Sequence, residues 1–274
     1  MILDAHIHIG EGDVKHNELL NNMHKAQVDG GCLLSIQPNS FKNKGKGLCT
    51  EERLDNLFKW TAGEKNLFPF FWIDPLEEDA LQQVALAVQM GVVGFKVICN
   101  RFYPNEDRPM EVFKAIAAAD KPILFHSGIL YSSSPSSLYN RPAFFESLMF
   151  VQGIRFALAH ISWPWCDECI AVYGHFDYTK HTGTNPGSEM FIDFTPGTPP
   201  SYRKDAITNV MTAVGKNYNN ILFGVDNMAN DYNSDYALSI MARDNDIFAN
   251  LCVDEDVKSK YYEKNLKRFL GIQA

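Results

Sequence analysis

Several features that would point elsewhere are missing from this sequence. No run of about 18 consecutive apolar residues occurs, so no membrane-spanning helix is available. The N-terminus lacks a basic segment followed by a purely apolar one, because Asp4, His6 and His8 interrupt it; this argues against export and for a cytoplasmic protein. Positive charge is in deficit, with 25 Lys and Arg against 33 Asp and Glu and a net charge of −8, which speaks against nucleic acid as the main partner. Six cysteines in 274 residues do not make a disulfide scaffold. A single Cys-x-x-Cys, Cys166 and Cys169, has no second copy to complete a zinc knuckle, so it reads as two reduced cysteines near a helix start. No Gly-x-Gly-x-x-Gly turn follows the first strand-like run, which removes the usual mark of an open dinucleotide-binding sheet.

What is present is a rhythm. Apolar runs of strand length fall at 2–9, 32–36, 67–73, 92–98, 122–126, 154–159, 190–194 and 221–225. Stretches with apolar residues at helical spacing lie between them, at 16–28, 51–64, 77–90, 110–119, 143–151, 167–173 and 204–214. Residues 41–48 and 132–137 read as loops rich in Lys, Gly and Asn or in Ser and Pro, and 175–187 as a polar loop. The stretch between Asp226 and Asp254 carries no assigned element, and 254–270 reads as an amphipathic helix with Val257, Tyr261, Leu266, Phe269 and Leu270 inward. Eight strands alternating with helices predict an α/β fold of the (β/α)₈, TIM-barrel type, regular or distorted, as one domain over 1–274.

The first run ends in chemistry. In Asp4-Ala5-His6-Ile7-His8, alternation along a strand points both imidazoles to one face, roughly 7 Å apart along the backbone, where they could grip one metal ion. A pair of hydrogen-bonded strand histidines with no metal fits the same spacing. Position weighs on the choice: His6, His8, Lys96, His126, His160 and Asp226 all fall at or near the C-terminal end of a predicted strand, and in a barrel those ends meet at one mouth. Singly, each has a plainer reading. His126 could be a satisfied strand-end histidine, Asp226 a helix N-cap, and His160 a packing residue before a loop rich in Pro and Trp. His16, His24, His175 and His181 lie in helix or loop contexts and read as surface histidines.

Several segments taken together resemble a known family. They are Asp4-Ala5-His6-Ile7-His8, Gly94-Phe95-Lys96-Val97, Pro122-Ile123-Leu124-Phe125-His126-Ser127-Gly128 and Ala159-His160-Ile161-Ser162-Trp163-Pro164-Trp165, then Ile221-Leu222-Phe223-Gly224-Val225-Asp226 and Lys264-Asn265-Leu266-Lys267-Arg268-Phe269. In order and spacing the chain resembles the amidohydrolase superfamily of metal-dependent barrels, and within it the amidohydrolase-related branch that contains aminocarboxymuconate semialdehyde decarboxylase. The resemblance implies one divalent metal, most often zinc, on His6, His8, His126 and Asp226. It implies His160 as a further ligand or as a catalytic base and electrophile. Such a metal lowers the pKa of bound water to about 7, and Asp226 would accept the water's proton and pass it to a leaving group.

Lys96 is ambiguous under this resemblance. A carbamylated lysine there would bridge a second metal, whereas a plain one would bind a substrate carboxylate or stabilise negative charge. On predicted strand-to-helix loops, Arg101, Tyr103, Arg108, Trp163, Tyr202 and Arg203 offer substrate contacts; an arginine there suits a carboxylate, and the aromatics suit a planar or apolar part. The expected partner is a small molecule, carboxylated or not, and a homo-oligomer is compatible with the sequence. Expected chemistry is hydrolysis of an amide, ester or lactone bond, with metal-dependent non-oxidative decarboxylation of an unsaturated or aromatic carboxylate as the alternative.

Overall fold

Each apolar run becomes a parallel strand in the computed structural model, which describes residues 1–41, 47–132, 136–214 and 218–272. The strands are β1 (Leu3–His8), β2 (Gly30–Leu34), β3 (Leu67–Trp72), β4 (Gly94–Val97), β5 (Ile123–Phe125), β6 (Arg155–Leu158), β7 (Glu189–Asp193), β8 (Ile221–Leu222) and β9 (Asn227–Met228), in the order β8-β7-β6-β5-β4-β3-β2-β1-β9. β8 and β9 share the eighth position. β8 pairs with β7 and β9 with β1. Between them the Ala5 N–H donates to the Phe223 carbonyl at 2.9 Å and the Asp226 N–H to the His6 carbonyl at 3.0 Å. The sheet thus curls into a distorted (β/α)₈ barrel, with the expected eighth strand broken at Asp226, whose φ of 62° is left-handed.

Helices α1 (His16–Lys25), α2 (Thr50–Thr61), α3 (Ala80–Met90), α4 (Asp107–Ala118), α5 (Cys166–Thr182), α6 (Pro200–Ala213) and α7 (Ser234–Asn250) follow the strands, and α8 (Glu255–Ser259) and α9 (Asn265–Leu270) close the chain. A 3₁₀ stretch, Pro142–Phe150, stands where a helix over 143–151 was expected. The Lys/Gly/Asn-rich loop over 41–48 and the Ser/Pro-rich loop over 132–137 each lie partly outside the described residues.

Two further elements differ from the sequence-based expectation. The polar loop over 175–187 is instead helix as far as Thr182. Cys166, Cys169, Val172, Tyr173, Phe176 and Thr179 form one buried stripe, and His175, Asp177, Lys180 and His181 occupy the outer turns. Gly183, at φ 70°, ends the helix. α7 occupies the stretch after Asp226 to which the sequence pattern assigns no element. Its buried face, Ala237, Ile240, Met241, Asp244, Ile247 and Phe248, contains a carboxylate that breaks the apolar pattern.

The strands carry two apolar surfaces. One faces the helix layer and includes Ile7, Ile9, Leu33, Phe71 and Phe95. The other fills the barrel and includes Leu3, Ala5, Leu34, Phe70, Leu124 and Phe191 together with Leu266, Phe269 and Leu270. The last three belong to or adjoin α9, which lies across the N-terminal strand ends. Arg155 at the start of β6 donates to the Phe269 carbonyl at 3.0 Å, and Arg268 pairs with Glu189 at the start of β7 at 2.6 Å. The floor is plugged, so a ligand enters from the opposite end.

β1 does not alternate regularly. Leu3 and Ala5 pack inside the barrel while Ile7 and Ile9 pack outside, which strict alternation forbids. A bulge accounts for this: Leu3 and Asp4 pair with Gly30 and Gly31, but Ile7 and His8 pair with Leu33 and Leu34, one residue extra on β1. The extra residue turns His6 and His8 inward. Asp4 braces the kink, accepting from the His6 N–H at 2.9 Å, the Val225 N–H at 3.0 Å and the Tyr232 hydroxyl at 3.1 Å. Gly31 lets β2 come close enough to pair there, since a Cβ on it would sit 2.2 Å from the Asp4 carbonyl oxygen.

Candidate metal centre

At the C-terminal strand ends lies a cavity of about 520 Å³, lined by His6, His8, Lys96, His126, His160 and Asp226 among others. The six strand-end residues expected to converge therefore do so. His6 Nε2 and His8 Nε2 are 3.2 Å apart. Asp226 Oδ1 is 3.6 Å from the first and 3.3 Å from the second. Among the described residues these three form the one group whose ligand atoms all lie within 4.8 Å of one another. The other rings continue the line, with centroids 5.3 Å apart for His6 and His160 and 4.9 Å for His126 and His160.

Hydrogen bonds decide what each ring presents. His6 Nδ1 lies 3.0 Å from Asp193 Oδ2. A carboxylate only accepts, so Nδ1 carries the proton and Nε2 turns a lone pair toward His8 and Asp226. Asp193 is held in turn by the Thr195 N–H at 2.8 Å and by the Thr195 hydroxyl. His160 Nδ1 faces the Thr195 carbonyl at 3.4 Å, which leaves its Nε2 bare as well. His126 Nε2 is buried with no hydrogen-bond partner among the described residues. An orphaned buried nitrogen costs free energy unless something at the site takes it up. Bare imidazole nitrogens with one carboxylate are a donor set that suits a divalent cation such as zinc.

The electrostatics agree with that donor set. Burial, with the nearby Lys96 charge, holds His6 well below the usual histidine range, and burial beside His160 does the same to His126, so both stay neutral as ligands must. Burial also lowers His160. For Asp226, burial pushes upward, but the adjacent His6 and the hydrogen bond from His8 outweigh it and keep the carboxyl well below its ordinary value. Lys96 is fully buried on β4, with Nζ 3.2 Å from His6 Nε2, and burial pushes it down to about 8.

The backbone around His160 is unusual. His160, Ile161 and Ser162 take φ of 67°, 49° and 56°, three left-handed non-glycine residues in succession. Gly197 permits the resulting fit, because a Cβ on it would come within 2.6 Å of the His160 Cβ.

Not every expected contact is at the mouth. Arg203 is buried in the helix layer, its guanidinium taken up by Asp244 and by the Phe194 carbonyl. It is not among the described residues that line the cavity, and the contacts it makes are those of a structural ion pair. Arg101 is paired with Asp74 at 2.5 Å, and Trp163 packs on Tyr202 with ring centroids 4.4 Å apart; neither lines the cavity. His16 is half-buried rather than at the surface, its Nδ1 donating to the Trp60 carbonyl at 2.8 Å. Cys166 and Cys169 are free and buried, and burial pushes their thiols up to about 11 and about 12, away from thiolate chemistry. The residue overlooked in the sequence is Asp193. Its signal was a lone carboxylate at the end of the apolar run Met190-Phe191-Ile192.

Asp193→Asn tests the tautomer argument. Thr195 would hold the amide oxygen, leaving the NH₂ to face His6 Nδ1 and force the proton onto Nε2. Zinc affinity, measured by competition with a chromophoric chelator, is expected to fall by about 10–100-fold. An unchanged affinity would show that Asp193 does not set the ring.

The model of the family described as amidohydrolase matches residues 4–272. No curated protein matches the sequence. Among solved structures, a putative amidohydrolase from Staphylococcus aureus superposes with a TM-score of 0.66 at 14% identity, covering 99% of each chain. A probable 2-pyrone-4,6-dicarboxylic acid hydrolase from Acinetobacter baumannii with citric acid bound gives 0.62 at 11% identity, again covering 99% of each. A dihydroorotase from Campylobacter jejuni gives 0.60 at 12% identity, covering 100% of this chain and 84% of the other. At these identities the likeness is one of fold.

Proposed function

This chain belongs to the amidohydrolase family, and from that premise we propose that it is a metal-dependent hydrolase of a small molecule containing an amide, ester or lactone bond. The observation that carries the reading is the convergence of His6 Nε2, His8 Nε2 and Asp226 within 4.8 Å on the mouth of the barrel. His126, with its unpartnered Nε2, completes the set of residues that would hold one divalent ion, zinc by the preference of nitrogen-rich sites. When bound, such an ion supplies Lewis-acid activation of water and of the scissile carbonyl.

The chain's own groups account for the rest. Asp226 is ionised, a third exposed and open to the cavity, so it can accept the proton of an attacking water and return it to the leaving atom. Neutral His160 presents a bare Nε2, which makes it a proton acceptor or a further ligand rather than the donor that polarises the bond. Lys96, taken as an unmodified side chain, places one positive charge beside the site for the oxyanion that develops. The plugged floor confines water to the mouth.

The test is metal removal and restoration across a substrate panel. Chelator-treated protein is expected to lose turnover of lactones and esters and to regain it with about one equivalent of zinc. Release of CO₂ from carboxylated aromatics, with no lactone opened, would replace hydrolysis by decarboxylation. Full activity after metal has been shown absent by elemental analysis would remove the metal from the mechanism.

A further inference from the structure

Arg203 makes one bond more than its ion pair requires. Nε and Nη2 donate to the Asp244 carboxylate at 2.7 Å and 2.6 Å, whereas Nη1 donates to the Phe194 carbonyl at 2.8 Å. Phe194 is the first residue past β7, and its N–H still reaches β8, at the Leu222 carbonyl, 2.9 Å away. Its carbonyl thus stands where the strand gives way to the loop that backs the imidazoles. In that loop the Thr195 N–H turns to Asp193 Oδ1 at 2.8 Å, and Asp193 Oδ2 takes His6 Nδ1 at 3.0 Å. The Thr195 carbonyl faces His160 Nδ1 at 3.4 Å, and the Thr198 hydroxyl donates to the His160 carbonyl at 3.1 Å.

The Phe194 carbonyl and the Thr195 N–H belong to one peptide unit. A trans peptide is planar with these two groups pointing in opposite directions, so fixing one fixes the other. Arg203 grips this plate from the helix layer, and the Asp193 carboxylate is held at its other edge. The guanidinium is itself fixed: it is 1% exposed, and the Asp244 carboxylate that fills its fork also accepts from the Tyr261 hydroxyl at 2.8 Å. On the barrel side the fit is close. A Cβ on Gly224 would sit 2.2 Å from Thr195 Oγ1 and 3.2 Å from Asp193 Oδ1. Two well-packed apolar groups can replace a buried ion pair in stability. They cannot replace the third bond.

Resting on the metal-dependent reading above, we propose that Arg203, held by Asp244, is a positioning residue for His6. Through the Phe194–Thr195 peptide it sets the Asp193 carboxylate, and with it the tautomer and direction of the His6 ring.

Nuclear magnetic resonance of the full chain reads this without turnover. A His6 Nδ1–H buried against a carboxylate gives a far-downfield, exchange-protected proton resonance, which Asp193→Asn assigns by removing it. In Arg203→Met/Asp244→Leu the urea midpoint is expected to stay near the parent's while that resonance moves upfield or broadens away. Zinc affinity, by competition with a chelator, is expected to fall about three- to tenfold, less than for the direct partner Asp193. Added to Asp193→Asn, the same two substitutions should cost less than about twofold more, because both act along one route. Should the double variant not fold, Arg203→Lys, which keeps a cation but not the fork, is expected to move both readouts the same way. An unchanged resonance in the variant that folds, or a zinc loss that adds in full to that of Asp193→Asn, would overturn the proposal. A shifted resonance in a chain whose parent binds no zinc would uphold the positioning and remove the metal-dependent reading instead.

Discussion

Asp226→Asn is expected to lower kcat by about 10³-fold or more at saturating zinc while leaving the fold intact, because the variant loses a proton acceptor and one ligand oxygen's charge together. The fold should survive for a backbone reason. Asp226 has φ 62°, a conformation that asparagine tolerates nearly as well as any residue except glycine. Its N–H bond to the His6 carbonyl, which helps close the barrel, does not involve the side chain. Circular dichroism and thermal unfolding should therefore match the parent while turnover disappears. Activity within about tenfold of the parent would take Asp226 out of the proton path.

Asp244→Ala is expected to destabilise the protein by about 3–5 kcal/mol, seen as a lower urea midpoint at unchanged slope. Asp244 accepts from Arg203 Nε at 2.7 Å, from Arg203 Nη2 at 2.6 Å and from the Tyr261 hydroxyl at 2.8 Å, with both charged side chains at most 1% exposed. Removing the carboxylate strands a buried guanidinium, and that is where the cost arises. The double variant Arg203→Met/Asp244→Leu should recover most of the loss, since two well-packed apolar groups can replace a buried pair. A single-variant loss below about 1 kcal/mol would mean that water reaches the pair.

This ion pair also explains where the sequence was hard to read. An arginine near the start of a barrel helix looks the same in a one-dimensional string whether it faces solvent, a ligand or a carboxylate 41 residues later. Arg203 needed Asp244, and Asp244 lay on α7, whose amphipathic pattern it interrupts. The barrel was legible because strand-length apolar runs and helix-like stretches follow one another up to β8, even where the stretch after β5 turns out 3₁₀. His6, His8, His126, His160 and Asp226 were legible because strand ends converge whatever the loops do. Asp193 and Thr195 were not, since their role is to bond a ring placed by another strand. The length of α5 is hard to read for a simpler reason: its outward turns are polar, and a polar run resembles a loop until the buried stripe beneath it is counted.

The irregularity in β1 has a consequence for anyone who would move this site elsewhere. Copying Asp4-Ala5-His6-Ile7-His8 into a regular strand would deliver the two imidazoles to the wrong side, because in this protein their direction depends on the one-residue offset at Asp4–Ile7. An insertion or deletion beside Ala5 would therefore do more harm than most point substitutions: it would swing both histidines out among the helices and leave the acid at position 4 with nothing to brace. What must be transplanted is the offset together with its partners Val225 and Tyr232, not the five letters.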